Sequence, residues 1–175
     1  ADWNRHFKVD RDEIISYLHD YFLGNINSAA DVPESILYWP GRNNPHLSDD
    51  ISKRDLPLAP FVELIASNGI YDPLEGDVPE IRGDQSIWWV MNDIGNLKEF
   101  GSQLGAAPNI GMEVQVMAHA FATDDPLNDA TLYNYKFLNK SARNMGETHI
   151  SQWVDSDLGY AQDDYVQSDV GRGLA

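Results

Sequence analysis

From Met112 to Ala122 the chain reads MEVQVMAHAFA, and the alternation in this stretch decides the fold class. Met112, Val114, Val116, Ala118 and Ala120 fall on one side of an extended strand, with Glu113, Gln115, Met117 and His119 on the other. The spacing predicts one buried face and one mixed face. Three neighbouring stretches also read as strands, each a period-two or continuous apolar run bounded by turn residues: Ser86 to Met91 (SIWWVM), Thr131 to Asn139 (TLYNYKFLN) and Thr148 to Val154 (THISQWV). In the second of these, Tyr133, Tyr135 and Phe137 share a face opposite Asn134 and Lys136. The connections are too short for helical crossovers, so the strands are expected to join antiparallel. A single sheet this apolar needs a layer on it, which makes an antiparallel two-layer β-sandwich the economical arrangement in a mainly β chain.

Upstream, Asp10-Arg11-Asp12-Glu13 opens the clearest helix, with Asp10 as N-cap, Glu13 completing a capping box and Val9 placed against Ile14. Ile14, Ile15, Leu18 and Phe22 are expected on its inner face, and Gly24-Asn25 supplies the stop. From Asn25 to about Gln85 the chain is rich in Pro, Gly, Asn and Asp, with prolines breaking every apolar run. A loop region this long is expected to be ordered by something it binds or packs on. Residues 1–85 thus read as helix plus ordered loop. Residues 86–175 read as sandwich strands with an acidic loop, the whole forming one compact domain.

The 175 residues carry 28 Asp plus Glu against 12 Lys plus Arg, a formal net charge of -16. With 42% hydrophobic and 11% aromatic residues, the chain is too apolar for a disordered polyanion. The charge disfavours nucleic acid and anionic membranes, whose phosphates need clustered Lys and Arg, and points to cations. There is no cysteine, which excludes disulfides, thiolate zinc sites and cysteine nucleophiles. No stretch approaches the roughly 20 apolar residues that span a bilayer, so no membrane insertion is expected.

The densest carboxylates lie in WVDSDLGYAQDDYVQSD, Trp153 to Asp169, which brings Asp155, Asp157, Asp163, Asp164 and Asp169 together around a turn at Gly159. At an effective dielectric near 20, two charges about 5 Å apart repel by roughly 3 kcal/mol. A hard cation with oxygen ligands turns that repulsion into cross-linking, and calcium suits an irregular carboxylate cage better than magnesium. A solvated acidic loop is the plain alternative. The interleaved Trp153, Val154, Leu158, Tyr160, Tyr165 and Val166 favour a packed segment, and packed carboxylates need partners. A glycosidase pair is the third reading, because that chemistry also uses two carboxylates.

A weaker constellation lies between Phe61 and Gln85. Glu63, Asn68-Gly69, Asp72, Glu75 and Asp77 approximate a calcium loop of the D-x-N-x-D-G type, but Ile65 takes a ligand position and Gly69 is one residue late. Glu63, Asn68, Asp72 and Asp77 are its candidate ligands, with a proline-rich turn region as the alternative; Asp77 and Asp84 then bond backbone N–H groups in tight turns. The five histidines show no metal spacing, and neither G-x-S-x-G nor a glycine-rich phosphate loop occurs. No catalytic residue is assigned. Trp3, Tyr38, Trp39 and Trp88-Trp89 could stack on sugars, although such aromatics are more often core.

Four segments in order, ILYWPGRNN (Ile36 to Asn44), Leu58 to Asp93, Ile110 to Ser141 and QWVDSDLGYAQDDYVQSDVGRGL (Gln152 to Leu174), resemble a domain of large secreted surface proteins of gliding Bacteroidota exported by type IX secretion. The resemblance implies an extracellular or cell-surface module of a longer protein, with adhesive or structural roles, and neighbouring domains or further copies as partners. Its D-x-D-L-G and D-D-Y-V pattern falls intact on Asp155, Asp157, Leu158, Gly159, Asp163, Asp164, Tyr165 and Val166, with a further Asp at Asp169. Its D-x-N-x-D-G-x-Y-x-P loop meets Glu63, Ile65 and Asn68-Gly69, with one inserted residue before Ile70, Tyr71 and Pro73. The expected function is therefore a calcium-stabilised structural or adhesive module, not an enzyme. The alternative is a sandwich that binds surface glycans or hydrolyses them with the Asp155 to Asp169 carboxylates.

Overall fold

A short strand, β1 (Phe7–Asp10), runs directly into helix α1 (Arg11–Phe22) in the computed structural model, which describes residues 7–47, 59–92, 110–151, 169 and 171–172. The predicted capping box is not made. Asp10 Oδ1 instead accepts from Gln85 Nε2 at 2.6 Å, and Glu13 Oε2 accepts from Ser35 Oγ at 2.5 Å. Both carboxylates are thus spent on long-range contacts, and the Arg11 N–H finds Asp84 O at 2.7 Å. The inner stripe also differs from the expected one. Ile14 and Tyr17 are buried with Leu18 and Tyr21 packed beside them, while Ile15 and Phe22 are exposed. The spacing 14, 17, 18, 21 follows the 3.6-residue period more closely than 14, 15, 18, 22. At the end, Gly24 at φ 75° lets Asn25 N–H reach Asp20 O and its own N–H reach Tyr21 O, closing the helix as a Schellman turn.

The region after α1 is ordered by what it buries. It contains a one-turn helix, α2 (Glu34–Leu37), and two short strands, β2 (Phe61–Val62) and β3 (Val78–Pro79), paired antiparallel. Ile36, Trp39 and Tyr71 have no measurable exposure, and Tyr71 Oη donates to Ile36 O at 2.5 Å. Trp39 donates Nε1–H to Pro60 O at 2.9 Å, with its ring centroid 6.4 Å from Phe7 and 6.5 Å from Trp88. Burying an aromatic of this size contributes about 4–6 kcal/mol before entropic costs. Prolines remove ladder donors, so burial of these side chains, not a hydrogen-bonded sheet, fixes the segment.

Three longer strands follow: β4 (Gln85–Asn92), β5 (Met112–Ala120) and β6 (Leu132–Asn139). They form a four-stranded antiparallel sheet in the order β1-β4-β5-β6. The register places Trp88, Met117 and Asn134 in one row and Trp89, Val116 and Tyr135 in the next. Phe7, Val9, Trp88, Val90 and Met117 turn one face toward the core shared with α1 and the loop region. On that face β5 also buries Glu113, Gln115 and His119, and Gln115 Nε2 donates to Glu113 Oε1 at 3.0 Å.

The opposite face carries Ile87, Trp89, Met91, Val114, Val116 and Ala118, continued onto β6 by Tyr133, Tyr135 and Phe137. Among the described residues the architecture is mainly β: this four-stranded sheet, the two-stranded pair and the N-terminal helix. Thr148 to Ser151, read from sequence as the start of a strand, form none; they are exposed and have no ladder partner among the described residues. The chain divides into two compact units, Ala1–Ala142 and Arg143–Ala175.

Candidate functional site

The turn that carries the loop region into β3 gathers the acidic groups. A 3₁₀ turn, Pro73–Glu75, is capped by Asp72, whose Oδ1 accepts from Leu74 N–H at 2.9 Å. Its proline supplies the fixed φ suited to a first turn position. The Asp72 N–H donates to Asp77 Oδ2 at 2.9 Å, so the two aspartates close the turn on each other. His46 Nε2 lies 3.0 Å from Asp72 Oδ1, and the Tyr17 hydroxyl donates to Pro73 O. Alongside, Glu63 Oε1 accepts from Gly69 N–H at 2.5 Å, and Asn68 accepts from Ile70 N–H at 2.7 Å while donating to Glu75 Oε2 at 2.9 Å.

Asp77 stands apart from its neighbours. It has no exposed surface, and its second oxygen, Oδ1, is buried with no hydrogen-bond partner among the described residues. Burial pushes its carboxyl above the ordinary range; the Asp72 N–H acts the other way, and the negative charges of Glu63, Glu75 and Asp72 add to the rise. The same field reaches two buried phenols. Tyr17 and Tyr71 are both raised, first by desolvation and then by neighbouring groups that include Asp77 and Asp72. Among the described residues no Lys or Arg pairs with Glu63, Asp72, Glu75 or Asp77, and the His46 imidazole meets Asp72. No three His, Cys, Asp or Glu side chains among the described residues are gathered closely enough to hold a metal ion.

The residues singled out in the sequence therefore fare differently. Glu63, Asn68, Asp72 and Asp77 do belong to one local network, in which Asn68 meets Glu75, Glu63 meets Gly69, and Asp72 meets Asp77. Asp155, Asp157, Asp163 and Asp164 lie outside the described residues. Asp169 is exposed and closes a turn with Arg172, accepting its N–H at 3.1 Å with Nε at 3.5 Å. Asp77 accepts a backbone N–H within a tight turn as expected, whereas Asp84 does so across the fold: its Oδ2 accepts from Ala122 N–H, 38 residues away, at 2.8 Å, and its Oδ1 meets Arg11 at 3.1 Å. His46 and Tyr17 escape a local reading, since they reach the acidic turn from 26 and 56 residues away.

The aromatics divide as well. Trp39 and Trp88 are core, Tyr38 is exposed, and Trp3 lies outside the described residues. The larger exposed set is on β6, where Tyr133, Tyr135 and Phe137 stack in sequence at 6.3 Å between centroids and Trp89 meets Tyr133 edge-on at 6.5 Å. No protein-family model, curated protein or solved structure matches this chain. Its class is accordingly the one its own fold defines, a mainly β chain with a four-stranded antiparallel sheet and an N-terminal helix. No helix among the described residues is long and apolar enough to cross a membrane.

Proposed function

We propose that this chain is a structural or adhesive module of a secreted cell-surface or extracellular protein, stabilised by calcium. The observation that carries the calcium reading is the orphaned Oδ1 of Asp77, buried in an acidic turn where Glu63 and Glu75 raise the cost of its charge. A buried carboxylate oxygen without a partner costs several kcal/mol unless a proton or a cation meets it. Calcium takes carboxylate and carbonyl oxygens in irregular geometry. Asp77 is the side chain that would meet the ion; Glu63 and Glu75 add negative charge around it while accepting from Gly69 and Asn68, and Asp72 is engaged in capping the turn.

The Asp155 to Asp169 run belongs to the same proposal on its sequence pattern. So does the two-layer sandwich, whose second layer would cover the face bearing Trp89, Val114 and Tyr135. The structural role fits a chain whose polar groups are spent on turns and pairings and whose charge of -16 disfavours anionic partners. Thermal unfolding in calcium and in chelator, with elemental analysis of the purified chain, tests the reading. Calcium is expected to raise the melting temperature reversibly. Identical melting curves, with no ion retained, would remove calcium from the proposal.

A further inference from the structure

The two outer strands of the sheet are built differently. β1 is four residues long, carries Lys8 and Asp10 and ends in α1. Short, charged edges of this kind discourage strand addition. β6 has eight residues, pairs with β5 through eight consecutive positions without a bulge, and contains neither proline nor any acidic residue. It lies at the end of the strand order, so its outer edge has no partner strand among the described residues.

The backbone direction along β6 follows from one bond. Lys140 N–H donates to Gly111 O at 2.9 Å, and this pair continues the Met112 to Asn139 register. Directions alternate in an antiparallel ladder, so Leu138, Lys136, Asn134 and Leu132 face β5 with their backbone groups. Tyr133, Tyr135 and Phe137 turn N–H and C=O outward.

We propose that β6 pairs antiparallel with β6 of a second copy, about a two-fold axis at Tyr135, joining two sheets into one of eight strands. In that register Tyr135 meets itself, Tyr133 meets Phe137, Asn134 meets Lys136 and Leu132 meets Leu138. The three outward-directed residues form the hydrogen-bonded pairs, the aromatic row continues from one copy into the next, and leucine meets leucine on the other face. Two-fold registers one position along fail these matches. An axis at Lys136 sets lysine against lysine, and an axis at Asn134 sets Lys136 against Leu132. Charge also favours this strand as the point of contact. Two copies of net charge -16 repel, and LYNYKFLN is a segment with one lysine and no carboxylate. The inference deepens the reading of the chain as a structural module by naming its partner, and it stands whether or not calcium binds.

The absence of cysteine makes the register directly testable. Paired Cα atoms about 5.5 Å apart in a bonded antiparallel pair are within disulfide range. Tyr135→Cys is therefore expected to oxidise to a covalent dimer. In Tyr133→Cys and Phe137→Cys the Cα atoms of like cysteines stand about 14 Å apart and do not link, but a mixture of the two gives the covalent heterodimer. Sedimentation of the unmodified chain is expected to show a reversible dimer that strengthens with salt, and Tyr135→Lys to weaken it roughly tenfold or more by opposing like charges. Circular dichroism and melting of each variant establish that the fold is retained. A chain that sediments as a monomer at every concentration, or a Tyr133→Cys variant that links to itself as readily as Tyr135→Cys, overturns the proposal. Both results leave calcium-dependent melting untouched, so the two readings fail separately.

Discussion

The backbone N–H of Asp72 donates to Asp77 Oδ2 at 2.9 Å, while Oδ1 of the same carboxylate is buried without a partner. One oxygen therefore shapes the turn, and the other has no hydrogen-bond partner among the described residues. Asp77→Asn keeps an oxygen for the Asp72 N–H and removes the charge. In chelator the variant is expected to melt at or above the parent. In calcium at a hundredfold excess over its dissociation constant, the parent should gain about 2.7 kcal/mol and the variant close to nothing. An equal gain in both would move the ion away from Asp77.

Asp84 ties three elements together. It accepts from Ala122 N–H after β5, pairs with Arg11 at the start of α1, and gives its carbonyl to Arg11 N–H. The ion pair is half exposed and contributes little, whereas the charge-assisted bond to the Ala122 backbone ties the chain after β5 to the start of β4. Asp84→Ala is expected to cost about 1–2 kcal/mol and Arg11→Ala about 0.5 kcal/mol, measured by urea unfolding. Equal losses would show that the ion pair dominates.

A methyl group added at Gly41 would lie 2.4 Å from Tyr71 Cβ, closer than carbon atoms approach. Tyr71 is fully buried and holds Ile36 O through its hydroxyl, so it has little room to retreat. Gly41→Ala should therefore destabilise by about 1–3 kcal/mol, as overpacking does in a dense core. Loss of the near-ultraviolet tyrosine signal should accompany it. An unchanged urea midpoint would mean that the loop shifts freely.

Asp31 Oδ2 accepts from Asn27 N–H, Ser28 N–H and Ser28 Oγ. The Asn27 bond, followed by the Ser28 hydroxyl, holds its carboxyl below the ordinary value of 3.8. A depressed folded-state value means that the stabilisation is present above the unfolded value and is lost as pH falls through the folded one. The difference in urea midpoint between the parent and Asp31→Asn is thus expected to be steady near neutrality and to close below about pH 4. A difference that persists or widens in acid would assign the effect to packing.

Much of this architecture is written locally. The helix ends where Gly24-Asn25 mark it, because a left-handed glycine closes it within a turn, whereas its start follows Asp10 without the local cap that the sequence suggested. The three long strands fall within a residue or two of their alternating stretches, because the two-residue period is a property of the strand itself. Asp77 was legible as a binder of a backbone N–H in a tight turn, whereas Asp84, expected to do the same, reaches Ala122 N–H 38 residues away.

What tertiary structure alone decided are the pairings between distant positions. β1, β2 and β3 are too short to have a period, and exist because Phe7 meets Trp88 and Phe61 meets Pro79 across the chain. The carboxylates of the acidic loop were readable, but that Asp77 is buried and its Oδ1 has no partner among the described residues was not. Alternation likewise told that Tyr133, Tyr135 and Phe137 share a face. Only the strand order put them at an edge, because a two-residue period records which side of a strand a side chain takes and nothing about what lies beside it.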